Sequence, residues 1–283
     1  MSIALLGLPT DRGSSYLRGA ADGPAAIRAA LHCGASNLYA ECGIDVGAAL
    51  VDAGDLTLDG SAAEIDAITA GVAAQLLAGH RIIALGGDHA VTFPVLRAVA
   101  EQHPALSILH FDAHPDLYDS YNGDPYSHAS PFARIMEAGL AQRLVQVGIR
   151  ADTHELRVQA KRFGVVTVGM DRLAELPALL PRGPVYVSID LDGLDPAFAP
   201  GVAHHEPGGL TTRDVIAAIQ ALEGPVIGGD IVELNPARDI NGMTAMVAAK
   251  LVRELAGAML RQASTSPRNA STDAHDRRAT FAS

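Results

Sequence analysis

Residues 106–116 read LSILHFDAHPD, an aliphatic run followed at once by two aspartates and a histidine on alternate positions. The span 106–111 has the length and composition of a short buried strand. In extended backbone the side chains at i, i+2 and i+4 point to one side, so Asp112, His114 and Asp116 converge while Phe111, Ala113 and Pro115 turn away. Pro115 removes a backbone donor, which ends the strand and opens a loop. Polar groups gathered at the carboxyl end of a buried strand are the pattern of an open parallel sheet, whose strand ends face the functional crevice.

The arrangement returns on both sides of this stretch. VYVSIDLDGLDP, residues 185–196, sets Asp190 and Asp192 two apart behind a buried run, and RIIALGGDHA, residues 81–90, sets His89 behind a strand and a glycine pair. Further runs at 3–8, 144–148, 165–168 and 225–232 read as strands. Alanine-rich spans between them read as helices over 24–32, 62–78, 91–102, 131–139, 153–162, 212–222 and 243–261. That alternation predicts an α/β fold with a mostly parallel sheet. No linker interrupts the chain before about residue 262, so residues 1–262 are expected to form one domain. Residues 263–283 are polar, small and aperiodic, the composition of a disordered or loosely docked tail.

Composition narrows the function. A net charge of −11 leaves no basic surplus to neutralise phosphates, which excludes nucleic acid as a partner. No apolar stretch approaches the ~18 residues of a membrane span, and MSIALLGLP lacks the positive flank of a signal peptide, so a cytoplasmic protein is expected. Cys33 and Cys42 are too few for a disulfide framework or a four-sulfur zinc site and read as ordinary thiols.

Gathered in one pocket, Asp112, Asp116, Asp190 and Asp192 would repel one another unless cations sat among them. Four carboxylates with two neutral imidazoles, His89 and His114, are a mixed oxygen and nitrogen set suited to two Mn²⁺ ions, other divalent first-row metals being possible. Such a pair holds a bridging water and lowers its pKa, which supplies a hydroxide at neutral pH. Rival readings fail on particular residues. A calcium loop starting at Asp190 needs an acid where Gly201 stands. An aspartyl-phosphate phosphatase motif needs a threonine where Leu194 stands and leaves DAHPD without a task. The glycines of GGDHA lack the spacing of a phosphate loop and instead let the backbone pass close to the site.

With GGDHA, FDAHPD and SIDLDGLDPAFAPG assembled in that order, the sequence resembles the ureohydrolase family of arginases and agmatinases from residue 3 to about 261. YSHASPFARIMEAG, GVAHHEPGGL and NGMTAMVAAKLVREL are most similar to the plant-type arginase branch. The resemblance implies a three-layer α/β/α sandwich, a dinuclear manganese centre, a trimer or hexamer, and release of urea from a small guanidino compound by hydroxide attack. It assigns the six ligands to His89, Asp112, His114, Asp116, Asp190 and Asp192. It also implies that His128 passes a proton to the leaving amine and that Glu233 grips the guanidinium, while the ligand spacing predicts that Asp116 steadies the hydroxide. Asp88 and Asp195 would orient ligands from behind, with turn capping as the equal alternative.

The substrate is less determined than the reaction. In animal-type arginases an asparagine two residues after the last ligand of the DAHxD motif helps bind the α-carboxylate; Tyr118 stands there here, and either Asp152 or Thr153 falls where the amino-group aspartate belongs. Whole-chain likeness ranks arginine ahead of agmatine, with other guanidines third. His204 and His205 either line the entrance or hold their loop, whereas His32, His80, His103, His154 and His275 read as surface residues. Two other classes stay open: a metal-binding subunit without activity, and a single-zinc deacetylase of related fold.

Overall fold

The structure, a computed structural model, describes residues 1–263. The tail expected over 263–283 lies outside the described residues, its first residue apart. Strands β1 (Ser2–Leu8), β2 (Leu50–Asp55), β3 (His80–Gly86), β4 (Ser107–Phe111), β5 (Arg143–Ile149), β6 (Val166–Gly169), β7 (Val185–Asp190) and β8 (Val226–Val232) form one sheet. Its order is β2-β1-β3-β8-β7-β4-β5-β6, and every neighbouring pair is parallel. The helices are α1 (Gly23–Leu31), α2 (Glu64–Leu77), α3 (Thr92–Gln102), α4 (Pro131–Glu137), α5 (His154–Phe163), α6 (Leu176–Leu179), α7 (Thr212–Gln220) and α8 (Met243–Ala263).

Strand alternation sorts the apolar side chains into two cores, one on each face. Ile3, Leu109, Val187 and Ile231 join Ile27 of α1, Ile219 of α7 and Leu255 of α8 on one side. Ala4, Ile108, Tyr186 and Ile227 join Val72 of α2, Val95 of α3, Ile135 of α4 and Leu156 of α5 on the other. The result is the expected α/β/α sandwich. Among the described residues no helix is long and apolar enough to cross a membrane.

Strand β2 is absent from the sequence reading, and α6 with it. LVDAGD carries two acids and is mostly exposed because it lies on the sheet edge, where charge guards unpaired backbone. Arg28 of α1 holds it, donating to Asp52 Oδ1 at 3.0 Å, to Gly54 O at 2.8 Å and to Asp55.

The strand order decides where chemistry can occur. β3, β8, β7 and β4 are adjacent at the sheet centre, although they enter the chain far apart, so the loops that follow them open side by side. Register adds a second feature. Gln146, His110, Ser188 and Asp230 are partners across β5, β4, β7 and β8, a polar row through an otherwise apolar sheet. One alternation further along, on the same face, come Asp112 and Asp190. Gly87, just past β3, has no room for a side chain because the Thr10 carbonyl occupies the Cβ position.

Candidate metal centre

At the carboxyl edge, His89 Nδ1 lies 3.2 Å from Asp112 Oδ2, 3.0 Å from Asp116 Oδ2 and 3.2 Å from Asp190 Oδ2. Its Nε2 stands 3.0 Å from Ser188 Oγ, which itself donates to Asp230 Oδ1 at 2.6 Å. A hydroxyl whose proton goes to Asp230 accepts from the ring, so this network assigns the hydrogen to Nε2 and leaves Nδ1 a lone pair. Asp230 in turn takes hydrogen bonds from Tyr186 Oη at 2.7 Å and Thr92 Oγ1 at 3.0 Å. His89 Nδ1 is buried with no hydrogen-bond partner, and it faces three carboxylate oxygens. A cation among them reconciles this: donors bound to one ion at about 2.1 Å and near right angles stand roughly 3 Å apart.

A second donor group shares Asp112. His114 Nδ1 is 3.4 Å from Asp112 Oδ1 and 3.2 Å from Asp192 Oδ2, and the three residues offer donor atoms within 4.8 Å of one another. Electrostatics agrees with the need for cations. Burial, then the charges of Asp192 and Asp112, pushes Asp190 well above the ordinary carboxylate range. Burial and Asp112 push Asp192 up to about 6. Bound dications would relieve both.

His110 also lies close to His89 and Asp112, yet both its ring nitrogens are engaged. Nε2 is 2.8 Å from Asp112 Oδ2, and Nδ1 is 3.1 Å from Gln146 Nε2, which also donates to Pro115 O at 2.6 Å. His110 therefore orients Asp112 rather than offering a lone pair outward. Phe132, from the first turn of α4, lies 4.0 Å from the His110 ring and edge-on to His89 at 5.3 Å, fixing both imidazoles.

Beside the acids, Glu233 Oε1 accepts from His89 N at 3.1 Å and lies 3.0 Å from His128 Nδ1. His128 Nε2 accepts from Ser15 N at 3.2 Å and is 2.8 Å from Ser15 Oγ. Because a backbone N–H can only donate, the neutral ring carries its hydrogen on Nδ1, toward Glu233. Burial opposes protonation of His128, but the hydrogen bond and charge of Glu233 outweigh it and push the ring up to about 9. A second proton at Nε2 would displace the Ser15 N–H and point to Ser15 Oγ. Asp116 and Glu233 both have left-handed backbone, with φ of 52° and 65°. For non-glycine residues this costs about 1–3 kcal/mol each. Glu233 N→Gly87 O at 2.8 Å and Phe132 N→Asp116 O at 3.2 Å hold the two turns in place.

Asp116, Asp190 and Asp192 floor a cleft of about 140 Å³ whose walls carry Ser15, Tyr118, Tyr121, His128 and His204. Other expected site residues stand elsewhere. Asp195 spends its carboxylate on Ala197 N, Gly208 N and Gly209 N, so it caps a turn and touches no imidazole. Asp88 caps the 3₁₀ turn that begins at His89, accepting from Ala90 N at 3.1 Å, and so fixes that backbone rather than a ring. Asp152 pairs with Arg157 at 2.7 Å and Thr153 caps α5, and neither lines the cleft. His205 holds its loop through Pro200 O at 2.7 Å, while His204 faces the cleft. His32 and His154 are exposed, but His80 and His103 are half-buried, His80 Nδ1 meeting Ser2 Oγ at 2.8 Å. His275 is outside the described residues.

Sequence reasoning missed His110, Gln146, Ser188, Asp230 and Ser15. His110 and Ser188 stand two residues before Asp112 and Asp190, so carrying the alternation one step back would have named them. Gln146 and Asp230 emerge only from strand register, and Ser15 had no signal at all.

Comparison with known proteins follows the same lines. The arginase family model matches residues 1–257. The chain is 48% identical over 282 residues to a protein named "Arginase, mitochondrial" from Medicago truncatula, covering 90% of this chain and 81% of that one. It is 36% identical to an agmatinase of Bacillus anthracis, covering 89% of this chain and 90% of the other. The solved arginase structure from Medicago truncatula superposes with a TM-score of 0.85 at 46% identity, over 91% of this chain and 87% of that one.

Proposed function

The chain belongs to the arginase family, and from that premise we propose that it hydrolyses L-arginine to L-ornithine and urea at the carboxyl edge of its sheet. The observation that carries the reading is the His89 lone pair facing three carboxylates beside Glu233. His89, Asp112, Asp116 and Asp190 would hold one divalent ion and Asp112, His114 and Asp192 the other. Manganese suits this oxygen-rich set with two imidazoles. When bound, the two ions neutralise the four carboxylates and lower the pKa of a water, so that a nucleophile exists at neutral pH.

The chain's own groups do the rest. A guanidinium stays charged and pairs with a carboxylate, and Glu233 lies just behind the cleft wall, 3.0 Å from His128 Nδ1. Because His128 Nδ1 sits at Glu233 Oε1, a guanidinium paired with the same carboxylate would lie against the imidazole. Asp116 accepts a hydrogen bond from the attacking water and holds its lone pair toward the guanidino carbon. His128, which Glu233 holds protonated, passes a proton to the departing amine.

Residues 1–262 as one catalytic domain, assembly into a trimer or hexamer and a cytoplasmic location belong to the same proposal. Exposed apolar Phe198 and Ile240 are sites where a second copy would gain by packing. A second substrate, agmatine, is favoured by one observation: among the described residues, no lysine or arginine lines the cleft to meet an α-carboxylate. Urea release by the manganese-loaded full-length protein tests the reading, with arginine, agmatine and simple guanidines compared. Arginine should give the highest kcat/KM; turnover of agmatine alone would select the second substrate, and urea from neither would overturn both.

A further inference from the structure

We propose that His204 is the specificity residue that distinguishes arginine from agmatine, receiving the α-carboxylate on a ring N–H; this rests on the arginine reading above. The two substrates present the same guanidinium to Glu233 and differ only beyond a short methylene spacer, at the outer wall of the cleft. The groups that the family resemblance would place there are otherwise occupied or absent. Asp152 is bonded to Arg157, Thr153 caps α5, and Tyr118 replaces the asparagine. Ser15 is committed to His128.

His204 is free and in place. It lines the cleft, its ring centroid 5.4 Å from that of His128, 5.8 Å from that of His114 and 5.6 Å from that of Tyr16. Among the described residues its nitrogens have no hydrogen-bond partner. Neutral or charged, an imidazole carries an N–H, so the contact does not depend on its protonation. The loop that carries it is anchored on both sides. His205 Nε2 reaches Pro200 O at 2.7 Å, and Arg150 Nε donates to Glu206 O at 2.9 Å. That anchoring lowers the ordering cost of binding. A half-buried donor that meets a carboxylate in one substrate and nothing in the other discriminates between them, because the pairing is lost outright.

The test compares wild type with His204→Phe, which keeps a ring against Tyr16 and His128 but removes both nitrogens. For arginine, kcat/KM should fall by about 10- to 100-fold, carried by KM. For agmatine it should change by no more than about twofold. Inhibition by ornithine, which keeps the carboxylate, should weaken in parallel while inhibition by putrescine stays the same. His204→Gln, which restores an N–H donor, should recover part of the loss. If the phenylalanine variant folds poorly, His204→Leu is judged by the same arginine-to-agmatine ratio. Equal losses for both substrates, or no loss for arginine, would overturn the assignment while leaving the arginase reading intact. A wild-type protein that releases no urea from arginine would overturn the reading and this assignment together.

Discussion

Two residues before Asp112 and Asp190, on the same faces of their strands, stand His110 and Ser188, and neither offers a lone pair to the cleft. Their work is to hold Asp112 Oδ2 and the His89 ring at fixed angles, which matters because a metal ligand's affinity depends on its orientation. His110→Ala should therefore weaken metal binding by about 10- to 100-fold while removing none of the six candidate ligands. Competition against a chelator measures it, and unchanged affinity would show that Asp112 needs no such support. His128→Asn should behave in the opposite way. It should keep both ions, counted per chain, yet lower turnover by about 100-fold or more, since proton transfer by a positioned side chain contributes roughly that much. Unchanged turnover with full metal content would remove His128 from the reaction.

At the scale of elements, the segment after β7 is pinned by one side chain from the segment after β5. Arg150 donates to the carbonyls of Gly148, Asp192, Gly193, Leu194 and Glu206 and to no carboxylate. The planar guanidinium can serve carbonyls in several directions, which a lysine ammonium cannot. Arg150→Lys should cost about 1–3 kcal/mol through carbonyls left unpaired, read as a shift in denaturant midpoint. Hydrogen exchange should rise over 192–206 and not over α1 or α8. Uniform exchange across the chain would mean that Arg150 supports the sheet rather than the loop. Because Asp192 and His204 sit on this span, the variant should also raise the KM for arginine.

For the whole molecule, the long connection from α1 to β2 is tied back across the surface by Glu41. Its carboxylate meets Arg213 of α7 at 2.6 Å and Lys250 of α8 at 3.2 Å, while its own N–H donates to Glu254 at 2.8 Å. The Arg213 hydrogen bond leads the forces that hold Glu41 down to about 2 from an ordinary 4.5, burial opposing it and Lys250 adding to it. A depressed carboxylate stabilises the fold above its unfolded pKa and loses that contribution as pH falls through its folded one. Glu41→Gln should thus lower Tm at neutral pH, with the gap closing as pH drops from about 4.5 toward 2. A gap that persists at pH 2 would assign the effect to packing. Exposure of Arg213, 63% at the side chain, keeps the effect small and salt-sensitive. The sequence by itself determined the central strands and the placing of Asp112, His114 and Asp116 just behind one strand end, but β4 stops at Phe111 and Asp116 turns left-handed, so the loop rather than strand alternation sets how they meet. It also pointed to Asp190, Asp192 and His89 as strand-end groups, since buried runs that stop at acid or imidazole are visible in one dimension. It did not show β2, whose acids hide a strand that only pairing with β1 creates. Nor did it show the row from Gln146 through His110 and Ser188 to Asp230, nor the division of labour between His204 and His205. Those follow from register, strand order and loop anchoring, which bring together residues far apart in the chain and exist only once it has folded.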